Sequence, residues 1–200
     1  LIFISVCFVL GVMFMISVFL WLSNNLPDPN KLQDRNIAQS TKIFDRSGEE
    51  VLYEIYGEEE RTLVTLEEIP DHVEWAIISM EDKNFYNHSG FSLWSISRSV
   101  FKMVFMGGRG SGSTLTQQFV KNSILTNERS VIRKVKELLL ARKIEKTYSK
   151  NEILQLYLNE IPYGGAAYGV EAASKKYFGK HVKDINISEA ALLAAIVQAP

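Results

Sequence analysis

The stretch from Pro70 to Gly90, P-D-H-V-E-W-A-I-I-S-M-E-D-K-N-F-Y-N-H-S-G, decides the fold. Pro70 suits the first turn of a helix, and Val73, Ala76, Ile77 and Met80 then recur at i, i+3, i+4 and i+7, marking one apolar helical face that ends beside Glu81. The periodicity stops there. From Glu81 to Gly90 the chain crowds together two adjacent carboxylates, Glu81 and Asp82, two aromatic rings, Phe85 and Tyr86, and His88. A carboxylate at a helix end beside aromatic rings is partly desolvated, a setting that favours general-base chemistry. Each member also has a structural reading: Glu81 as a surface charge, Asp82 as a cap, His88 as a turn residue, Phe85 and Tyr86 as core.

Beyond Gly90, helices dominate. Ser149 with Glu152 forms a capping-box pattern opening a helix from Lys150 to Asn159, and Pro162 with Gly164 and Gly165 ends it. Ala166 to Tyr177 is expected as a further helix, and Ser188 opens a last apolar one through Val197. On the other side of the opening stretch, Thr41 to Val64 is β-like. Ile43 and Phe44 precede a turn signal at Asp45-Arg46-Ser47-Gly48, and Val51, Tyr53 and Ile55 alternate with their neighbours, as in a small hairpin.

Leu1 to Leu22 carries no charge and, as a helix, spans roughly 33 Å, about one bilayer core. It reads as a transmembrane anchor rather than a signal peptide, whose apolar region is shorter and is followed by small residues. Residues 23–40, with Pro27 and Pro29, form a stiff linker, and residues 41–200 form the domain, which is expected to be truncated at its C-terminus. The chain is thus expected to be mainly α, with a short β-hairpin and one preceding transmembrane helix.

A net charge of −1, from 22 basic and 23 acidic residues, argues against a generic polyanion or nucleic-acid binder. One cysteine and three histidines without ligand spacing argue against a disulfide framework and a zinc site. The balance hides a local excess: Lys121, Arg129, Arg133, Lys134, Lys136, Arg142, Lys143, Lys146 and Lys150 face only Glu128, Glu137 and Glu145 over the same stretch. Such a cluster suits an anionic ligand, and equally a solvated helix face with i,i+4 pairs such as Arg133 with Glu137. In the helix expected from about Ser130, Val131, Val135, Leu138 and Leu139 form one apolar face while Leu140 and Ile144 lie near the opposite side, so the helix is central. Glu137 then falls one turn from Arg133 and Lys134 in an enclosed position, where charge needs pairing or a charged ligand.

Between these stretches, Gly107 to Gly112 has the spacing of a phosphate loop, but Ser113 stands where the loop's lysine is required. What remains is a glycine-rich loop feeding Ser113, Thr114, Gln117 and Gln118 into a helix that carries Lys121. These groups can bind sugar hydroxyls or phosphate oxygens, while Ser113 or Thr114 can equally serve as a plain N-cap. Two carboxylates with a basic cluster suggest sugar chemistry at an anionic leaving group.

These residues resemble the peptidoglycan glycosyltransferases of class A penicillin-binding proteins and their monofunctional relatives. The resemblance runs in order through Glu81 to Gly90 (E-D-x-x-F-x-x-H-x-G), Gly112 to Gln118 (G-S-T-x-T-Q-Q), Arg133 to Glu137 (R-K-x-x-E), Lys150 to Asn159 (K-x-x-I-L-x-x-Y-L-N), and the segments Ala172 to Lys180 and Glu189 to Pro200. It implies a lysozyme-like head with a smaller jaw subdomain against the outer face of the cytoplasmic membrane, and residues near Phe101 to Arg109 in a mobile, partly membrane-facing part. By the same resemblance Glu81 is the general base and Glu137 the second catalytic glutamate, near the donor pyrophosphate. Lys121, Arg129 and Lys134 neutralise the leaving group, and Arg98, Ser113, Thr114, Gln117, Gln118, Arg133 and Tyr177 belong with them on the substrate side. Asp82, Phe85, His88 and Gly90 are motif residues of structural character. No cofactor is required; the resemblance allows a magnesium or manganese ion on Glu137, bound only together with the substrate pyrophosphate. The implied partners are lipid II, the nascent glycan strand, the membrane and cell-wall synthesis proteins, and moenomycin is the family's inhibitor. A membrane-anchored muramidase-type hydrolase and a non-catalytic cell-wall scaffold are the alternatives.

Overall fold

The computed structural model describes Met13, Trp21 and residues 26–27, 41–48, 51–55, 60–91, 112–125 and 131–198. The expected anchor at 1–22 and linker at 23–40 lie almost wholly outside these residues, as do Arg98, Phe101 to Arg109 and Arg129. Among the described residues no helix is long and apolar enough to cross a membrane.

The order is β1 (Thr41–Phe44), β2 (Val51–Ile55), β3 (Glu60–Arg61), α1 (Asp71–Glu81), α2 (Leu115–Ser123), α3 (Val131–Thr147), α4 (Lys150–Glu160), β4 (Ala167–Tyr168), α5 (Val170–Phe178) and α6 (Ile187–Gln198). The described part is mainly helical. β1 and β2 pair antiparallel, Thr41 opposite Ile55, and Gly48 closes the turn at φ +78°, with its amide donating to the Asp45 carbonyl at 3.1 Å. β3 pairs in parallel with β4, and a buried ion pair between Arg61 and Glu160 ties the strand to the end of α4.

The core is one cluster, with α1 packed on α6 and α2 packed against both α3 and α4. Burial on α1 falls on Val73, Ile77 and Ile78, while Met80 is exposed, so the covered side is rotated toward Ile78 from the face that spacing suggested. On α3 the fully buried positions are Glu137, Leu140, Ala141 and Ile144, one helical stripe, with Val135, Leu138 and Leu139 only half-buried. The most enclosed stripe of this helix therefore includes a carboxylate.

Local signals set the helix ends. Ser149 and Glu152 close a full capping box at α4, and Thr114 caps α2 by accepting the Gln117 amide at 3.3 Å. The expected helix from Ala166 begins only at Val170, because Ala167 and Tyr168 are taken up by strand pairing with β3. α6 is capped by Asn186 rather than Ser188: the Asn186 side chain accepts the Glu189 amide at 3.0 Å, and Glu189 returns a bond from the Asn186 amide at 2.8 Å. In Glu171 burial raises the carboxyl, but bonds from the Val182 amide, Lys175 and His181 outweigh it and hold the group below its ordinary range.

Gly90 joins the segment after Glu81 to the helical body. It sits at φ +86°, and an added Cβ would lie 2.9 Å from the Ala141 carbonyl oxygen of α3. Its own carbonyl accepts from the Thr114 hydroxyl at 2.9 Å and the Gln117 side-chain amide at 3.0 Å. Left-handed strain together with a clash against backbone predicts that Gly90→Ala destabilises the fold by about 2–4 kcal/mol. A urea unfolding midpoint equal to that of the parent would show that this close approach is absent.

Candidate active-site cleft

Glu81 is the last residue of α1, and the helix end directs it into a cleft of about 330 Å³. The cleft is lined by Glu81, Ser113, Gln118, Lys121, Asn122, Glu137, Ile161, Pro162, Val197 and Gln198. Two carboxylates separated by 56 positions in the chain thus share one cavity with a lysine.

Asp82 does something different from its neighbour. Its Oδ2 accepts the Leu115 amide at the start of α2 at 3.1 Å and meets His88 Nε2 at 2.8 Å. A carboxylate at a helix N-terminus meets unsatisfied amides and the positive end of the dipole, so this contact locks the end of α1 to the beginning of α2. Phe85 is fully buried beneath, with its ring edge toward Tyr86. Asp82, Phe85, His88 and Gly90 hold the segment in shape, and Glu81 projects from it.

On the Glu81 carboxylate, Oε2 accepts from the Gln118 amide nitrogen at 2.6 Å. Oε1 is shielded from bulk water and has no hydrogen-bond partner among the described residues. Behind Gln118, the Tyr157 hydroxyl of α4 donates to the amide oxygen at 3.1 Å. Burial, and then the nearby negative charge of Glu81, push the Tyr157 phenol well above its ordinary range, which keeps it a donor.

Around Glu137, Lys134 donates to Ser113 Oγ at 2.7 Å and Gln117 Oε1 at 3.3 Å, and pairs with the Glu137 carboxylate. These three acceptors match the three hydrogens of an ammonium group. Arg133 reaches the other Glu137 oxygen at 3.2 Å. Glu137 is buried, and its charge is compensated by a cation on each carboxylate oxygen. Lys121 and Asn122, on the exposed side of α2, also line the cleft.

Residues 48–200 match the sequence profile of the Transglycosylase family. The chain belongs to that family. The chain is 46% identical over 178 residues to penicillin-binding protein 1A of Aquifex aeolicus, covering 88% of this chain and 24% of that protein. It is 40% identical to penicillin-binding protein 1A of Vibrio cholerae over 100% of this chain and 24% of the relative. Against penicillin-binding protein 1F of Bacillus subtilis it is 45% identical over 80% of this chain and 22% of the relative. The chain spans about a quarter of the length of these relatives.

The residues expected at the site do not all line the cleft. Ser113, Gln118, Lys121, Glu81 and Glu137 line the cavity. Thr114 and Gln117 are buried behind it, with their polar atoms engaged by Gly90, Lys134 and each other. Tyr177 donates to the Tyr163 carbonyl at 2.6 Å and holds the turn at Gly164. Sequence reasoning did not single out Asn122, Ile161, Pro162, Val197 or Gln198 as cleft residues. Asn122 was readable as the neighbour of Lys121; the others reach the cleft only through the packing of α4 and α6 around it.

For a divalent ion, the donor set centres on Glu137, whose oxygens already hold Lys134 and Arg133. Among the described residues no three acidic, histidine or cysteine side chains converge on one point. Each Glu137 oxygen is already paired with a cation, which opposes a further positive ion there, so these residues fit a metal poorly.

Proposed function

We propose that this chain carries the glycosyltransferase activity that polymerises lipid II into peptidoglycan strands. The observation that carries the reading is that the Glu81 carboxylate shares one cleft with Glu137 and Lys121, and that Glu137 in turn holds Lys134 and Arg133. A base together with cations that can meet the leaving group is what inverting transfer from a pyrophosphate-linked sugar requires.

In this reading the 4-hydroxyl of the acceptor N-acetylglucosamine gives its proton to Glu81 as its oxygen bonds to the anomeric carbon of the donor N-acetylmuramyl group. The bond from that carbon to the pyrophosphate oxygen breaks, and undecaprenyl pyrophosphate leaves with the electron pair. Lys121 offers direct charge to the departing oxygens, while Lys134, Arg133 and Arg129 contribute positive potential near them. Ser113 supplies a hydroxyl whose direction is set by Lys134. A lipid-linked substrate places the work at the outer face of the cytoplasmic membrane, consistent with an anchor at 1–22 and with cell-wall synthesis proteins as partners. A hydrolase would need only the carboxylates and a water, and would have little use for these cations.

The test is a gel assay of the full-length protein in detergent with labelled lipid II, with and without moenomycin. A ladder of glycan products that the inhibitor abolishes is the expected result. Soluble muropeptides released from finished peptidoglycan would instead establish the muramidase reading, and binding without turnover the scaffold.

A further inference from the structure

We infer that Tyr157 is a positioning residue for the Glu81 base and acts through the Gln118 side chain. The inference rests on the proposed glycosyltransferase reading and adds a part to it. A glutamine amide is nearly symmetric in shape, and nothing in its covalent structure decides which end faces a neighbour. Here both ends are specified. Tyr157 donates to Gln118 Oε1 at 3.1 Å, and Gln118 Nε2 donates to the acceptor-only carboxylate at Glu81 Oε2, 2.6 Å away. The reversed amide would set its oxygen against the carboxylate.

The Tyr157 ring is fully buried in α4, and α2 is anchored by the Thr114 cap one turn before Gln118, so both elements of the relay are rigid. With Oε2 engaged, Oε1 is the Glu81 oxygen left to receive the acceptor proton. Tyr157 itself has no place in the cleft lining, which is why it positions and does not catalyse. The charged and titratable groups around Glu81 are Asp82 beside it, Tyr157 of α4 with Tyr163 behind it, and Lys121 and Glu137 on the cleft wall. α6, packed on α1, presents uncharged Val197 and Gln198 to the cleft, and its one charged residue, Glu189, is engaged at its own N-terminus and with Lys180.

The experiment compares full-length wild type, Glu81→Gln, Tyr157→Phe, Gln118→Met and the double variant Tyr157→Phe/Gln118→Met, measuring kcat and KM of lipid II polymerisation. Loss of a hydrogen-bonded support for a charged group predicts a kcat about tenfold lower for Tyr157→Phe, with KM unchanged. The double variant is expected to be no slower than Gln118→Met alone, since both substitutions break one relay.

Wild-type kcat in Tyr157→Phe, with Glu81→Gln inactive, would overturn the inference and leave the glycosyltransferase reading standing. Additive losses in the double variant would also overturn it. If Tyr157→Phe fails to fold, Gln118→Met decides: lower kcat at constant KM supports the relay, whereas raised KM at constant kcat makes Gln118 a substrate contact and sinks it. A wild type that makes no ladder overturns the reading and the inference together.

Discussion

Glu81→Gln is expected to lower the rate of glycan polymerisation by about 10²–10⁴-fold, the range that a well-placed general base supplies. The substitution is nearly isosteric and its carbonyl oxygen can still accept from Gln118, so the fold and the cleft should survive. What is lost is a group able to take the acceptor proton. The measurement is initial ladder formation at saturating lipid II, beside circular dichroism and moenomycin binding on the same preparation. A variant retaining a third or more of the parent rate would remove Glu81 from the role of base. A variant that lost inhibitor binding as well would point to collapse of the cleft.

The second large effect is expected at Lys134. Its ammonium holds Ser113, Gln117 and Glu137 together, so Lys134→Met releases the hydroxyl, leaves Glu137 with Arg133 alone, and removes one positive charge from the leaving-group side. Removal of one preorganised charge-stabilising group predicts a loss of about 10²–10³-fold in kcat. Stability should fall by no more than about 2 kcal/mol, because Arg133 still covers the buried carboxylate and the Lys134 side chain is 43% exposed. Lys134→Arg should restore little, since a planar guanidinium cannot direct donors to these three acceptors as an ammonium does. Turnover within threefold of the parent, at unchanged urea midpoint, would show that the basic stretch is a solvated helix face after all.

Much of the chemistry was legible before any folding was considered. The Glu81 to Gly90 block, the Ser149 capping box and the Asp45 to Gly48 turn are short-range patterns, decided by residues within a turn or two of each other, and the structure keeps the local form of each. Periodicity was less reliable about which side of a helix is covered. Spacing alone favoured Met80 on α1 and Leu138 and Leu139 on α3, but burial depends on where α6 and α2 lie, and it fell on Ile78 and on the stripe through Glu137. Ala167 and Tyr168 went to a strand for a similar reason, since a remote partner at Glu60 and Arg61 outweighed helical continuity.

The sequence by itself determined the inventory: a carboxylate at a helix end, a hydroxyl and amide segment, a basic stretch with one enclosed glutamate, and a mainly helical chain. Only the tertiary structure decided how these act on one another. It placed Glu81 and Glu137 on one cleft, directed the Gln118 amide at Glu81, spent Thr114 and Gln117 on Gly90, and brought Val197 and Gln198 from the last helix to complete the wall. The reason is one of range. Caps and turns are fixed by hydrogen bonds between near neighbours in the chain, whereas the cleft is made by side chains from four helices whose mutual placement is set by burying a common core.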